Sequence, residues 1–391
     1  MNTADAEEMA QPLEQHGLVR TAEMADADVA IMNTCTVREQ AAHRAESNIG
    51  RLREWKAENP ERILIVAGCA ATLWGEGIRK RFPYIDAVSP ATKIEEFPEL
   101  IKNVMQERWN GRLEESALFQ ESPHPASGHL LPVPGPGEGT PDNFLFGSEN
   151  TAYVTIMRGC NYSCAYCIVP QVRGREKYRA LPEILSDIRR FAAEGNREVM
   201  LLGQTVNSYY YRSTEGEREN IIDFSDLLRE VAAIPEVERI RFMSPHPRHM
   251  RDKLIQTMSE LPKMARHVHL PLQSGSTAML QRMNRLYTRD QYLSIIQKLR
   301  AAIPGLLITT DIIIGFPGET DDEFNDTITL MEEVRFDGVF GFSYSPRPGT
   351  VSAERSDDVP ENVKELRLQQ VLALNQRILQ ERDAARAAAH R

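Results

Sequence analysis

Arg158-Gly-Cys-Asn-Tyr-Ser-Cys-Ala-Tyr-Cys167 is the stretch on which the reading of this chain turns. It places three thiols, Cys160, Cys164 and Cys167, on one short loop. Thiolates spaced C-x-x-x-C-x-x-C can each hold one iron of a 4Fe–4S cluster, whereas a ferredoxin-like cluster takes four such ligands. A run that stops at three leaves one iron open for a substrate. A structural zinc site pairs its cysteines as C-x-x-C with a second pair elsewhere, and that pattern is missing here.

Working outward, residues 152–157 read as a strand that feeds the cysteine loop. Further apolar, β-branched runs follow at 198–202, 239–243, 267–270, 306–314 and 338–342, with helical stretches at 183–194, 224–233, 289–302 and 321–334. Strands alternating with helices predict a parallel sheet, and six such units in order predict an incomplete β/α barrel. The carboxyl ends of barrel strands carry ligand sites. The segments after these strands are polar or glycine-rich: Gly203-Gln-Thr-Val-Asn207, Ser244-Pro-His-Pro247, Gln273-Ser-Gly-Ser276, Gly315-Phe-Pro-Gly-Glu319 and Ser343-Tyr-Ser-Pro-Arg-Pro-Gly349.

Upstream, Asp28-Val-Ala-Ile-Met-Asn33, Arg62-Ile-Leu-Ile-Val-Ala-Gly68 and Tyr84-Ile-Asp-Ala-Val88 predict three more strands, with helices over 39–57 and 94–106. This predicts an α/β domain with a doubly wound parallel sheet over 1–109. Cys35 and Cys69 each follow a predicted strand directly, so they belong on one edge of that sheet. Read alone, either could equally be a small buried hydrophobe. Residues 110–149 are rich in proline and glycine and predict an extended linker. The barrel is expected over 150–360, and a charged helix over 361–391.

Composition limits what such a chain does. With 391 residues, 41% hydrophobic and 26% charged, it has the make-up of a globular protein of two or three domains. No run has the apolar length of a membrane span, and the acidic start Met1-Asn-Thr-Ala-Asp-Ala-Glu7 is no secretory signal. Five cysteines, an odd number, argue against a disulfide framework and for the reducing cytoplasm. A net charge of −10 does not favour a nucleic-acid partner, so any such partner must meet a local basic face.

Taken together, several motifs resemble one family. They are Asn33-Thr-Cys-Thr-Val-Arg-Glu39, Gly68-Cys-Ala, the cysteine loop through Ile168-Val-Pro170, Val172-Arg-Gly-Arg-Glu176, Leu201-Leu-Gly-Gln-Thr-Val-Asn-Ser-Tyr209, Leu270-Pro-Leu-Gln-Ser-Gly-Ser276 and Tyr344-Ser-Pro-Arg-Pro-Gly-Thr350. The chain resembles the radical S-adenosylmethionine (SAM) methylthiotransferases, and most of all their MiaB branch, which acts on isopentenyladenosine beside the tRNA anticodon. The sister branch that modifies a ribosomal protein carries His where this chain has Ser274. The threonylcarbamoyladenosine branch differs around residues 33–39 and 244–247.

The resemblance implies SAM at the open iron of the Cys160, Cys164 and Cys167 cluster. It also implies a second, auxiliary 4Fe–4S cluster held by three N-terminal cysteines, of which Cys35 and Cys69 match two and the third is missing. The family's first strand and its C-terminal RNA-gripping TRAM β-barrel are expected to be absent as well. Gln204, Asn207, Gln273 and Ser274 are the candidate SAM contacts, with the segment at Gly315 beside them. The basic run Arg173, Arg175, Lys177 and Arg179, together with Arg347, is the candidate RNA contact. Arg282 and Arg285 are weaker candidates, and His246 reads as structural. The implied partners are a tRNA anticodon stem-loop and an electron donor such as flavodoxin or ferredoxin. The expected form is a monomer that binds no membrane.

Overall fold

The computed structural model of the chain describes residues 2–15, 17–36, 39–109, 150–215 and 218–389. Two compact units divide it: Met1–Thr140 with Gln171–Gly174, and Pro141–Pro170 with Arg175–Arg391. The linker expected over 110–149 lies outside the described residues.

In the first unit, β1 (Val29–Thr34), β2 (Ile63–Gly68) and β3 (Ala87–Pro90) form a parallel sheet in sequence order. Side chains alternate along a strand, so an unbroken apolar run such as β2 needs cover on both faces. Ile63, Ile65 and Ala67 pack with Met9, Phe97, Ile101 and Met105. Leu64 and Val66 pack the other way, with Ile49, Trp55 and Ile78. Helices Asn2–Gln15 and Phe97–Trp109 cover the first face, and Glu39–Glu58 and Ile78–Arg81 the second. The sheet is doubly wound, as predicted.

Two elements of this unit start three residues later than predicted, and its other predicted elements start within one residue. β3 starts at Ala87, because the buried Asp86 carboxylate accepts the Leu64 N–H at 2.7 Å and pairs with Lys56 Nζ at 2.6 Å. The following helix starts at Phe97, because Ala91–Glu96 forms a 3-10 turn.

The second unit contains β4 (Thr151–Thr155), β5 (Met157–Arg158), β6 (Lys177–Tyr178), β7 (Glu198–Leu202), β8 (Tyr210–Glu215) and β9 (Arg218–Asp223). It continues with β10 (Arg239–Phe242), β11 (His267–His269), β12 (Leu307–Ile314) and β13 (Gly338–Ser343). β4, β7 and β10 form one parallel ladder and β11, β12 and β13 another. A parallel bridge between Ile240 and Met264 carries the first ladder toward the second. Helices Leu181–Ala193, Phe224–Ala232, Asp252–Glu260, Arg289–Ala302 and Asp321–Val334 cover the strands. Val154, Leu201, Ile240, Val268, Ile308 and Val339 of the strands share one core with Ile188, Leu227, Tyr292 and Leu330 of those helices. This is the incomplete six-stranded β/α barrel expected from the strand spacing.

Capping boxes at Asp223, Thr288 and Thr320 start three of the helices by satisfying backbone N–H groups that a helix leaves open. The antiparallel pair β5–β6 and the hairpin β8–β9 were not foreseen, since neither shows apolar alternation. The last helix, Glu361–Ala389, is the charged helix expected there, and it packs on the barrel. Its Val371, Leu374 and Ile378 are buried, and Arg367 meets Glu319 at 2.9 Å. Among the described residues no helix is long and apolar enough to cross a membrane.

Candidate active site

β4 and β5 lead into the cysteine loop through Gly159, whose φ of 77° suits a residue with no side chain. Cys160 Sγ lies 3.4 Å from the Thr205 hydroxyl in the turn after β7. The Cys167 N–H donates to Cys164 O at 3.0 Å, a turn that brings the last two thiols together. Cys164 Sγ accepts a hydrogen bond from Arg285 Nη1 at 3.2 Å. Burial, then the neighbouring Cys164 and Cys160, pushes the Cys167 thiol up to about 12. Burial also raises Cys160, against the pull of the Thr205 hydroxyl. Such thiols are protonated at neutral pH, so loading a cluster must release their protons.

All five cysteines of the chain are free thiols, and only three of them, on this one loop, belong to the second unit. Among the described residues no three His, Cys, Asp or Glu side chains converge on a single ion position. A cubane does not require that, since each of its irons takes one thiolate. The donor set therefore suits a 4Fe–4S cluster with one iron lacking a protein ligand.

Aromatic rings line the loop. Tyr166 meets Phe316 edge-on at 6.5 Å. Tyr162 stacks on His246 at 4.1 Å, and its hydroxyl lies 2.7 Å from His249 Nε2. Burial, and next the Arg285 cation, holds His246 down to about 2, so its ring is neutral.

The candidate SAM contacts take different positions. Gln204 Oε1 is buried and has no hydrogen-bond partner. Asn207 donates to His246 O at 3.0 Å and accepts the His246 N–H at 2.8 Å, so both ends of its amide hold the loop after β10. Gln273 has a φ of 75°, a conformation that costs about 1–3 kcal/mol in a residue other than glycine. Its backbone joins β12 through Asp311 O and the Ile313 N–H. Ser274 is fully buried, with its hydroxyl between Thr327 and the Ser276 N–H. Gly315 donates to the buried Glu319 carboxylate at 2.8 Å.

The basic run separates into distinct roles. Arg175 and Lys177 are exposed, and Arg347 is half-buried. Arg179 donates to Thr155 O at 3.0 Å and pairs with Asp187 at 2.8 Å, which ties it to the barrel. Arg282 donates to Gly318 O at 3.1 Å and pairs with Glu323. Arg173 has to be reassigned. It is buried in the first unit, paired with Asp5 at 2.7 Å and donating to Cys69 Sγ at 3.2 Å, so it is withdrawn from any phosphate.

At that sheet edge Thr34 and Gly68 are register partners, so Cys35 and Cys69 leave the strands side by side as predicted. Gly68 has a φ of 95°, and a Cβ there would lie 2.4 Å from Thr34 O. Burial raises the Cys69 thiol, and the Arg173 cation opposes it. Asp5 and Thr205 carried no signal in the sequence, because each gains its role from a partner distant along the chain.

Residues 154–331 match the radical SAM superfamily, and residues 1–89 match the uncharacterized protein family UPF0004. The chain is 41% identical to a Sorangium cellulosum protein named tRNA-2-methylthio-N(6)-dimethylallyladenosine synthase, over 97% of this chain and 76% of that protein. It is 42% identical to a Geobacter metallireducens protein of the same name, over 98% of this chain and 82% of that one. Among solved structures, the radical S-adenosylmethionine methyltransferase TsrM from Kitasatospora setae, with cobalamin and a 4Fe–4S cluster bound, gives a TM-score of 0.58 at 15% identity. That match covers 88% of this chain and 66% of TsrM, and the likeness is one of fold.

Proposed function

The chain belongs to the family of tRNA-2-methylthio-N(6)-dimethylallyladenosine synthases, and on that premise we propose that it methylthiolates carbon 2 of isopentenyladenosine (dimethylallyladenosine) beside the anticodon of tRNA. The observation that carries the reading is the set of three thiols on one loop of the barrel, with no fourth cysteine in that unit. An aromatic C–H offers neither an acidic proton nor a leaving group, so acid–base and nucleophilic side chains have nothing to act on. A 4Fe–4S cluster on Cys160, Cys164 and Cys167, with SAM bound, would supply the radical that removes that hydrogen.

The chain's own residues bind, orient and exclude water. Thr205 and Arg285 direct hydrogen bonds at the sulfurs of Cys160 and Cys164. Tyr166 and Phe316 form an apolar wall beside the loop. The Gln204 carbonyl oxygen is an acceptor left for a ligand at the mouth of the barrel, and the strained backbone of Gln273 stands at a second strand end. Asn207 and Ser274 act through the loops they pin, not by touching the cofactor. Arg175 and Lys177 are the exposed cations offered to an anticodon stem-loop, and a one-electron carrier of the flavodoxin or ferredoxin class is the reductant.

The first unit supplies two thiols, Cys35 and Cys69, which match two of the three cysteines that the resemblance implies for an auxiliary cluster. Iron and sulfide analysis of anaerobically reconstituted protein separates the cases, with about four irons per chain for one cubane and about eight for two. The activity is tested by mass spectrometry of tRNA nucleosides from a strain lacking the gene. Loss of the 2-methylthio group from isopentenyladenosine is expected. Its retention, or loss from a different nucleoside or protein, overturns the substrate assignment.

A further inference from the structure

Arg285 entered the sequence reading as a weak candidate for RNA. The structure buries it, 6% exposed, behind the cysteine loop. Its Nη1 donates to Cys164 Sγ at 3.2 Å and its Nε to the Tyr287 hydroxyl at 3.2 Å. The Tyr287 hydroxyl in turn donates to Leu272 O at 2.6 Å, which fixes the direction of the fork. Among the described residues no carboxylate lies within ion-pair distance of this guanidinium. A buried cation without a counter-charge is strongly unfavourable, so its position calls for an anion at Cys164.

The backbone around it is bent to the same end. Asn284 and Leu286, on either side of Arg285, have φ of 55° and 60°. Both are left-handed; asparagine adopts that conformation readily but leucine rarely does, and Leu286 is 50% exposed, so packing does not explain its strain. The same segment grips the cysteine loop at three successive residues. Met283 O accepts the Ala165 N–H at 2.9 Å, Asn284 Nδ2 donates to Ser163 O at 2.8 Å, and Arg285 donates to Cys164 Sγ.

We propose that Arg285 is a positioning residue that sets the reduction potential of the cluster on Cys160, Cys164 and Cys167, by a charge-assisted hydrogen bond to the Cys164 sulfur. This rests on the cluster reading above. Reduction adds one electron, supplied by an external one-electron reductant, and makes the cluster and its thiolates more negative by one charge. No bond forms or breaks. A fixed cation hydrogen-bonded to one thiolate favours the more negative state, and hydrogen bonds to sulfur and net charge are among the terms that set such potentials.

The test is a redox titration, followed by electron paramagnetic resonance, of reconstituted full-length wild type, Arg285→Gln and Arg285→Lys. The Gln variant is expected to be harder to reduce by at least tenfold in the equilibrium, about 59 mV for one electron, with Lys falling between. Loss of an exchangeable proton coupling to the cluster in deuterated buffer is expected in the Gln variant alone. If Gln loads a full cubane and titrates at the wild-type potential, the proposal is overturned. Should Gln fail to fold, Lys keeps the charge without the fork, and an unmoved potential there counts against the proposal equally. Should wild type form no cubane, the failure lies with the functional reading instead.

Discussion

Each unit presents a cysteine sulfur to a buried arginine at 3.2 Å: Cys164 with Arg285 in the barrel, and Cys69 with Arg173 in the three-stranded unit. The two contacts differ in what else holds the cation. Arg173 carries an ion pair with Asp5, so its charge is already balanced before the sulfur is considered. Besides the sulfur, Arg285 meets the neutral Tyr287 hydroxyl, and among the described residues no carboxylate pairs with it. In the barrel the guanidinium therefore depends on the anion that Cys164 helps to hold, whereas in the first unit it is locked by a carboxylate and serves the packing of the sheet edge. Two contacts of equal length thus do different things, and the counter-charge decides which.

The largest effect expected is on the barrel side. Cys164→Ala should remove SAM cleavage altogether while Cys69→Ala leaves it in place. Measuring 5′-deoxyadenosine release from both variants checks this, and a Cys164→Ala protein that still cleaved SAM would end the cluster reading. Next comes Asp5→Ala, which strands Arg173 as an uncompensated buried charge and should destabilise the first unit by about 3–5 kcal/mol. Urea unfolding monitored in that unit reads it, and an Asp5→Ala, Arg173→Met double variant should recover most of the loss.

Acid should separate the units further. Burial, followed by nearby positive or histidine neighbours, holds His246 down to about 2 and His249 and His267 to about 4, against 6.5 when unfolded. For a group whose folded value is lowered in this way, the unfolded chain takes up the proton first. Stability is then full above about pH 6.5 and falls as the pH drops toward 4. Between pH 7 and 5 the barrel should lose on the order of 1–2 kcal/mol from His246, and less from the more solvated His249. The described histidine of the first unit, His43, is exposed, so that unit should respond less. Thermal melts between pH 7 and 5 that moved both units equally would contradict this.

The smallest effect expected is on RNA. Arg175→Ala should weaken binding of an anticodon stem-loop and flatten its salt dependence by about 0.7–0.9 in log–log slope. Arg179→Ala should act on barrel stability instead, since that side chain is tied to Thr155 and Asp187.

Much of this protein was legible in its sequence because the signals are local. The spacing of Cys160, Cys164 and Cys167 is a property of eight consecutive residues. The apolar runs of β2, β7 and β12 mark strands, because a strand covered on both faces must be apolar at every position. The position of Cys35 beside Cys69 followed from counting residues past two strand ends. The hairpin β8–β9 escaped, because its strands carry no apolar alternation to mark them. The helix Glu361–Ala389 was expected as a charged helix, and only the structure shows its Val371, Leu374 and Ile378 buried in the core.

The sequence by itself determined the count and spacing of the thiols and the order of the strands. Only the tertiary structure decided which cations serve those thiolates. Arg285 and Cys164 are 121 residues apart, and Asp5 and Arg173 are 168 apart. Pairing over such distances is set by how the sheets close, and the composition of a basic run does not reveal whether an arginine ends against water or against a buried sulfur.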